Sequence, residues 1–112
     1  MKVAIIGQGY VGLSLAVSAA RAGHEVVGYD INKGLISNLE NGISHVEGVS
    51  VDKLIGYKPT NQVSAIAGSE IVIIAVPTPL DAERKPDLQY LLSACEVISG
   101  NLNHQALIIN ES

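Results

Sequence analysis

At 112 residues the chain has room for one domain, and it falls short of the roughly 150 residues that a whole doubly wound nucleotide domain usually takes. A net charge of −4 and a pI near 5.2 speak against nucleic acid or an anionic membrane surface as a partner, because each calls for a basic face. The single cysteine excludes an internal disulfide framework, and a 47% hydrophobic content without Phe or Trp describes a core of Val, Ile, Leu and Ala, suited to parallel strands covered by helices.

In chain order, Val3, Ala4, Ile5 and Ile6 form a short unbroken apolar run, as expected of a strand buried on both faces. GxGxxG follows at Gly7, Gly9 and Gly12. The first glycine suits a tight turn, the second lets backbone approach a pyrophosphate, and the third lets a helix pack closely on the strand. A helix then carries Val11, Leu13, Leu15, Ala16, Ala19 and Ala20 and stops at Gly23. Its N-terminus aims N–H groups and positive dipole at phosphates. Val26, Val27 and Tyr29 form a second strand that ends in Asp30, 18 residues past Gly12. An acid there accepts hydrogen bonds from the ribose hydroxyls of NAD and repels the 2′-phosphate of NADP; its plainer role is a helix N-cap. Residues 3–20 carry no charge, as in a signal peptide or membrane helix, and Ser18, Ala19 and Ala20 look like a cleavage site. Gly7, Gln8, Gly9 and Gly12 interrupt that run, so the expected location is cytoplasmic.

Residues 32–41 read as a second helix with Leu35, Ile36 and Leu39 on one face and Gly42 as the stop. Residues 43–62 read as a connecting segment with one helical turn around Asp52 to Ile55. A short edge strand is expected near Val63, and a helical turn at residues 65–68. Residues 71–76 are six consecutive apolar residues and form the clearest buried strand. This strand is expected beside the first, on the side away from the second, where the sheet reverses direction. Ligands bind at that reversal, so Val76, Pro77 and Thr78 are expected to wall the pyrophosphate site, stiffened by Pro77 and Pro79. Asp81 to Lys85 reads as a solvated charged loop. Pro86 and Asp87 open a third helix, in which Leu88, Leu91, Leu92, Cys95 and Ile98 form the sheet-facing stripe. Cys95 is thus expected to be a small buried residue and no catalytic thiol. Residues 106–109 are the fifth strand. His24, His45 and His104 lie in turns or the connecting segment without ligand spacing, so no metal site is expected.

GQGYVGLSLAVSAARAGHEVVGYDIN, NGISHVEGVS, SEIVIIAVPTPLDAERKPDLQYLLSA and ALIINES together resemble the N-terminal part of the UDP-glucose/GDP-mannose dehydrogenase family, over essentially all 112 residues. VPTPLD followed by KPDL is similar to the bacterial branch acting on UDP-N-acetylmannosamine and related UDP-N-acetylhexosamines, while HVEGVS also resembles some UDP-glucose dehydrogenases. The resemblance implies an NAD-dependent, two-step oxidation of a UDP-sugar C6 alcohol to a uronate for surface polysaccharide. It implies a pyrophosphate over Gly7, Gly9, Tyr10, Val11 and Gly12, and the adenosine ribose on Asp30 with Lys33 nearby. Val76, Pro77 and Thr78 match the family's cofactor loop, and Ser112 matches the first residue of its Ser-Thr element. The family's catalytic cysteine and lysine and its UDP-sugar site lie in later segments, and Cys95 does not match that cysteine.

The expected fold class is therefore α/β, a Rossmann-type doubly wound parallel sheet of about five strands, truncated after the fifth. Residues 1–112 are expected to be the N-terminal NAD-binding part of a longer chain. A UDP-sugar is its partner and the full-length enzyme a homodimer or larger; this segment alone binds NAD without turnover. Two alternatives stay open: a 3-hydroxyacid or 6-phosphogluconate type of dehydrogenase, and a non-catalytic nucleotide-sensing module.

Overall fold

The computed structural model describes residues 1–102 and 105–111. Among them, five strands form one all-parallel sheet: β1 (Lys2–Ile6), β2 (Glu25–Tyr29), β3 (Tyr57–Thr60), β4 (Ile71–Ile74) and β5 (Leu107–Asn110). Their order is β3-β2-β1-β4-β5, so the chain reverses direction between β1 and β4. The helices are α1 (Tyr10–Arg21), α2 (Lys33–Glu40) and α3 (Gln89–Ser99). No helix among the described residues is long and apolar enough to cross a membrane.

Both faces of the sheet are covered, which is why β1 and β4 read as unbroken apolar runs. Along β1 the side chains alternate: Val3 and Ile5 pack with Ala16 and Ala20 of α1, while Ala4 and Ile6 pack with Ala94 and Ile98 of α3. Leu13 and Val17 of α1 meet Ile36 and Leu39 of α2, and Val46 and Val51 of the connecting segment close that cluster. Full burial of Ile5, Ile6 and Leu13 contributes about 1.5–3 kcal/mol each.

Four expectations shift. The edge strand lies at Tyr57–Thr60 rather than near Val63, where residues Val63–Ile66 form a short 3₁₀ helix. Pro59 disguised the strand, yet proline is tolerated on an edge. Asp52 to Ile55 forms turns, with Leu54 N–H donating to the Val51 carbonyl at 3.2 Å, and no helix. The third helix starts at Gln89, because residues 80–86 fold back as a tight loop that pairs Leu80 with Pro86. Asp87 instead accepts from the Gln89 N–H at 3.0 Å. Cys95 is exposed: the sheet-facing stripe of α3 is Leu91, Ala94 and Ile98, flanked by Val97. The helix carries two adjacent apolar stripes, and small Ala94 allows the closer approach to the sheet. His104, expected in the turn before the last strand, lies outside the described residues.

Candidate functional site

The loop leaving β1 is built from backbone in close approach. Gly7 has φ +97°, a left-handed conformation that a side chain disfavours, and its N–H donates to the Tyr29 carbonyl at 2.7 Å. A Cβ on Gly7 would lie 2.7 Å from the Ala75 carbonyl oxygen, and one on Gly12 would overlap the Gly7 carbonyl. At Gly9 the reverse holds: no described atom lies within 4 Å of a Cβ built there. Gly9 is the N-cap of α1, and the first helical bond runs from Leu13 N–H to the Gly9 carbonyl at 3.0 Å. The preceding N–H groups have no acceptor inside the helix. Neither an acid in the first turn nor a capping side chain competes for them. The loop thus presents donors and a positive dipole end to an open space, an arrangement that fits an anion such as a pyrophosphate.

Asp30 stands at the adjacent strand end with both carboxylate oxygens oriented. Oδ2 accepts from the Gln8 N–H at 2.8 Å, and Oδ1 accepts from the Asn32 N–H at 2.9 Å. Each oxygen keeps lone-pair capacity for a further donor. The N-cap of α2 is Asn32, whose Oδ1 accepts from the Leu35 N–H at 3.1 Å, so Asp30 does not cap that helix.

A cleft of about 510 Å³ joins these parts at the reversal point of the sheet. Gly7 and Gly9 line one side, Asp30 another, Val76 and Pro77 a third, and Tyr90 and Ser93 of α3 close it. Of the expected site residues, Gly7, Gly9, Asp30, Val76 and Pro77 therefore meet in one cavity. Gly12 is buried beneath the loop; Tyr10 and Val11, 74% and 51% exposed, stand at the start of α1. Lys33 and Thr78 are exposed and stand off the cleft wall. Ser112 lies outside the described residues. Among those residues no group of three or more His, Cys, Asp or Glu is placed to hold a metal.

Three residues were given no site role in the sequence: Gln8, His45 and Tyr57. Gln8, an unspecified position of the glycine motif, is completely buried. Its Nε2 donates to the carbonyls of Ile5 and Gly7 at 3.2 and 3.1 Å, and its Oε1 accepts from the Tyr57 hydroxyl at 2.6 Å. Its backbone carbonyl faces His45 Nε2 at 2.6 Å. Burial, and then the negative charge of Asp30, push the Tyr57 hydroxyl far above its ordinary range, which keeps it a donor. The same two causes raise Tyr29. One signal for this network was present: Gly28, where a Cβ would overlap Gln8 Oε1 and lie 2.6 Å from the Tyr57 ring.

The geometry of glycine loop, acid and cleft agrees with what comparison finds. Residues 1–112 match the model of the UDP-glucose/GDP-mannose dehydrogenase family, NAD binding domain. The chain belongs to the UDP-glucose/GDP-mannose dehydrogenase family. The unit matched is the family's NAD binding domain, in agreement with the cofactor expected from Gly9 and Asp30. Among relatives, the UDP-N-acetyl-D-mannosamine dehydrogenase of Pyrococcus horikoshii is 35% identical over 119 residues, covering 100% of this chain and 28% of the relative. The UDP-N-acetyl-D-glucosamine 6-dehydrogenase of Salmonella typhi is 37% identical over 115 residues, covering 100% and 27%. The solved structure of the Pyrococcus horikoshii UDP-D-ManNAc dehydrogenase superposes with a TM-score of 0.93 at 36% identity, covering 100% of this chain and 28% of that one. This chain thus spans little more than a quarter of the length of the relatives it matches.

Proposed function

We propose that residues 1–112 are the NAD-binding domain of a nucleotide-sugar dehydrogenase that oxidises the C6 alcohol of a UDP-sugar to a uronate in two NAD-dependent steps, in the cytoplasm. The observation that carries this reading is the pairing of Gly9's open space with the oriented Asp30 carboxylate across one cleft. Bound NAD supplies the hydride acceptor. The residues of this chain hold and orient it: the backbone of Gly7, Gly9, Tyr10, Val11 and Gly12 takes the pyrophosphate, and Asp30 takes the adenosine ribose hydroxyls. Val76 and Pro77 wall the site, and Lys33, Thr78 and Ser112 are assigned to the cofactor by their match to the family's motifs. The names of the relatives favour a UDP-N-acetylhexosamine as substrate.

Fluorescence titration with NADH and NADPH tests the assignment. A hydrogen bond to a charged group contributes about 1.5–3 kcal/mol, so NADH is expected to bind at least about tenfold more tightly than NADPH. Asp30→Asn, which keeps an acceptor but removes the charge, is expected to weaken NADH about tenfold and to narrow the preference. Equal affinities in the unaltered protein would remove Asp30 from the role given to it.

A further inference from the structure

We propose that His45 is a positioning residue for the cofactor loop, coupling the segment between α2 and β3 to cofactor affinity through the Gln8 carbonyl; this rests on the NAD-binding reading above. The connection is a single short contact, His45 Nε2 to Gln8 O at 2.6 Å, across 37 residues of sequence. A carbonyl only accepts, so His45 Nε2 is the donor in this contact.

The consequence follows from peptide geometry. The Gln8 carbonyl and the Gly9 N–H belong to one planar, trans peptide, and the two groups point to opposite sides of it. Holding the oxygen from the side of the connecting segment therefore aims the Gly9 N–H the other way. The rest of Gln8 is held as well: its N–H by Asp30, its side-chain oxygen by Tyr57, and its side-chain amide by Ile5 and Gly7. His45 supplies the bond that fixes the peptide leading into Gly9, the residue facing open space.

The backbone of His45 is anchored independently of its ring. Val46 beside it is buried against the α1 and α2 cluster, and Ser44 Oγ both accepts from the Val46 N–H and donates to the Val46 carbonyl, each at 3.1 Å. Removing the ring thus leaves the packing of the segment in place. Its loss is expected in the aim of the loop and not in the core.

The test is NADH titration of the full chain alongside thermal melting, in the unaltered protein, His45→Ala and His45→Gln. His45→Ala is expected to raise the NADH Kd about three- to tenfold, the effect of one lost hydrogen bond, with an unchanged melting midpoint. His45→Gln, which retains an N–H donor, is expected to recover most of the affinity. The Gly9 amide resonance should move in His45→Ala and return in His45→Gln. Unchanged affinity in His45→Ala overturns the proposal while leaving the NAD-binding reading intact. Affinity that falls only in step with melting, without rescue by Gln, also overturns it, since His45 is then merely structural. Failure of the unaltered protein to bind NADH overturns the underlying reading, and the proposal with it.

Discussion

A single residue, Gln8, has all of its polar groups engaged and takes five neighbours with it: Asp30, His45, Tyr57 and the carbonyls of Ile5 and Gly7. Buried polar groups are stable only when satisfied, and no buried side-chain polar atom among the described residues lacks a partner. Tyr57 gives this network a pH signature. Its hydroxyl is raised in the folded state, first by burial and then by Asp30, whereas in the unfolded chain it titrates near the ordinary value of about 10. A raised folded pKa contributes stability that is fully present below the unfolded value and is lost as pH climbs beyond it, because only the unfolded chain then releases its proton. Urea unfolding should therefore show a flat stability up to about pH 9, then a decline, and Tyr57→Phe should flatten that decline. The same substitution should lower stability at neutral pH by about 1 kcal/mol, for the bond lost to Gln8. Beyond the hint of Gly28, none of this was legible in the sequence. The glycines and Asp30 could be read because their chemistry is tied to fixed spacing, whereas Gln8, His45 and Tyr57 come together only through folding, 37 and 49 residues apart.

Elements were legible in proportion to their burial. β4 and β1 sit in the middle of the sheet, covered on both faces, and four or more apolar residues in a row announced them. β3 lies at the edge, carries Lys58 and Pro59, and gave no such run. α3 was found, and Leu91 and Ile98 of its expected stripe do face the sheet, but Leu88, Leu92 and Cys95, which repeat as regularly as Leu91, Ala94 and Ile98, are exposed. The two stripes make opposite predictions. Cys95→Ser should change stability by no more than about 0.5 kcal/mol, as an exposed substitution. Ala94→Leu should destabilise by about 1–3 kcal/mol, because Ala94 is 4% exposed against the sheet. Chemical denaturation checks both, and native Cys95 should react with a thiol reagent without unfolding.

At the scale of the molecule, the order β3-β2-β1-β4-β5 and the parallel register set the cleft, because they bring the carboxyl ends of β1, β2 and β4 to one edge. This much followed from the alternation of apolar runs and helices. The described residues offer a cofactor cleft without a thiol in it: Cys95 is not among the residues that line the cavity. The 112-residue chain incubated with NAD and UDP-N-acetylhexosamines is accordingly expected to form no NADH, measured by absorbance, while still binding NADH in titration. Turnover by this segment would place catalytic groups here that the geometry does not provide.

The double engagement of Asp30 also constrains how coenzyme preference can evolve. The carboxylate proposed to take the ribose hydroxyls also latches the glycine loop, through Gln8 N–H at 2.8 Å. Replacing it by a residue without an acceptor, to admit a phosphorylated ribose, strips that latch at the same moment, so such a first step is expected to lose affinity for both coenzymes. A lineage or a designer moving toward NADP must first install another acceptor for the Gln8 N–H, and only then add a cation. The order of substitutions matters, and the intermediate with position 30 altered alone is the one that selection would discard.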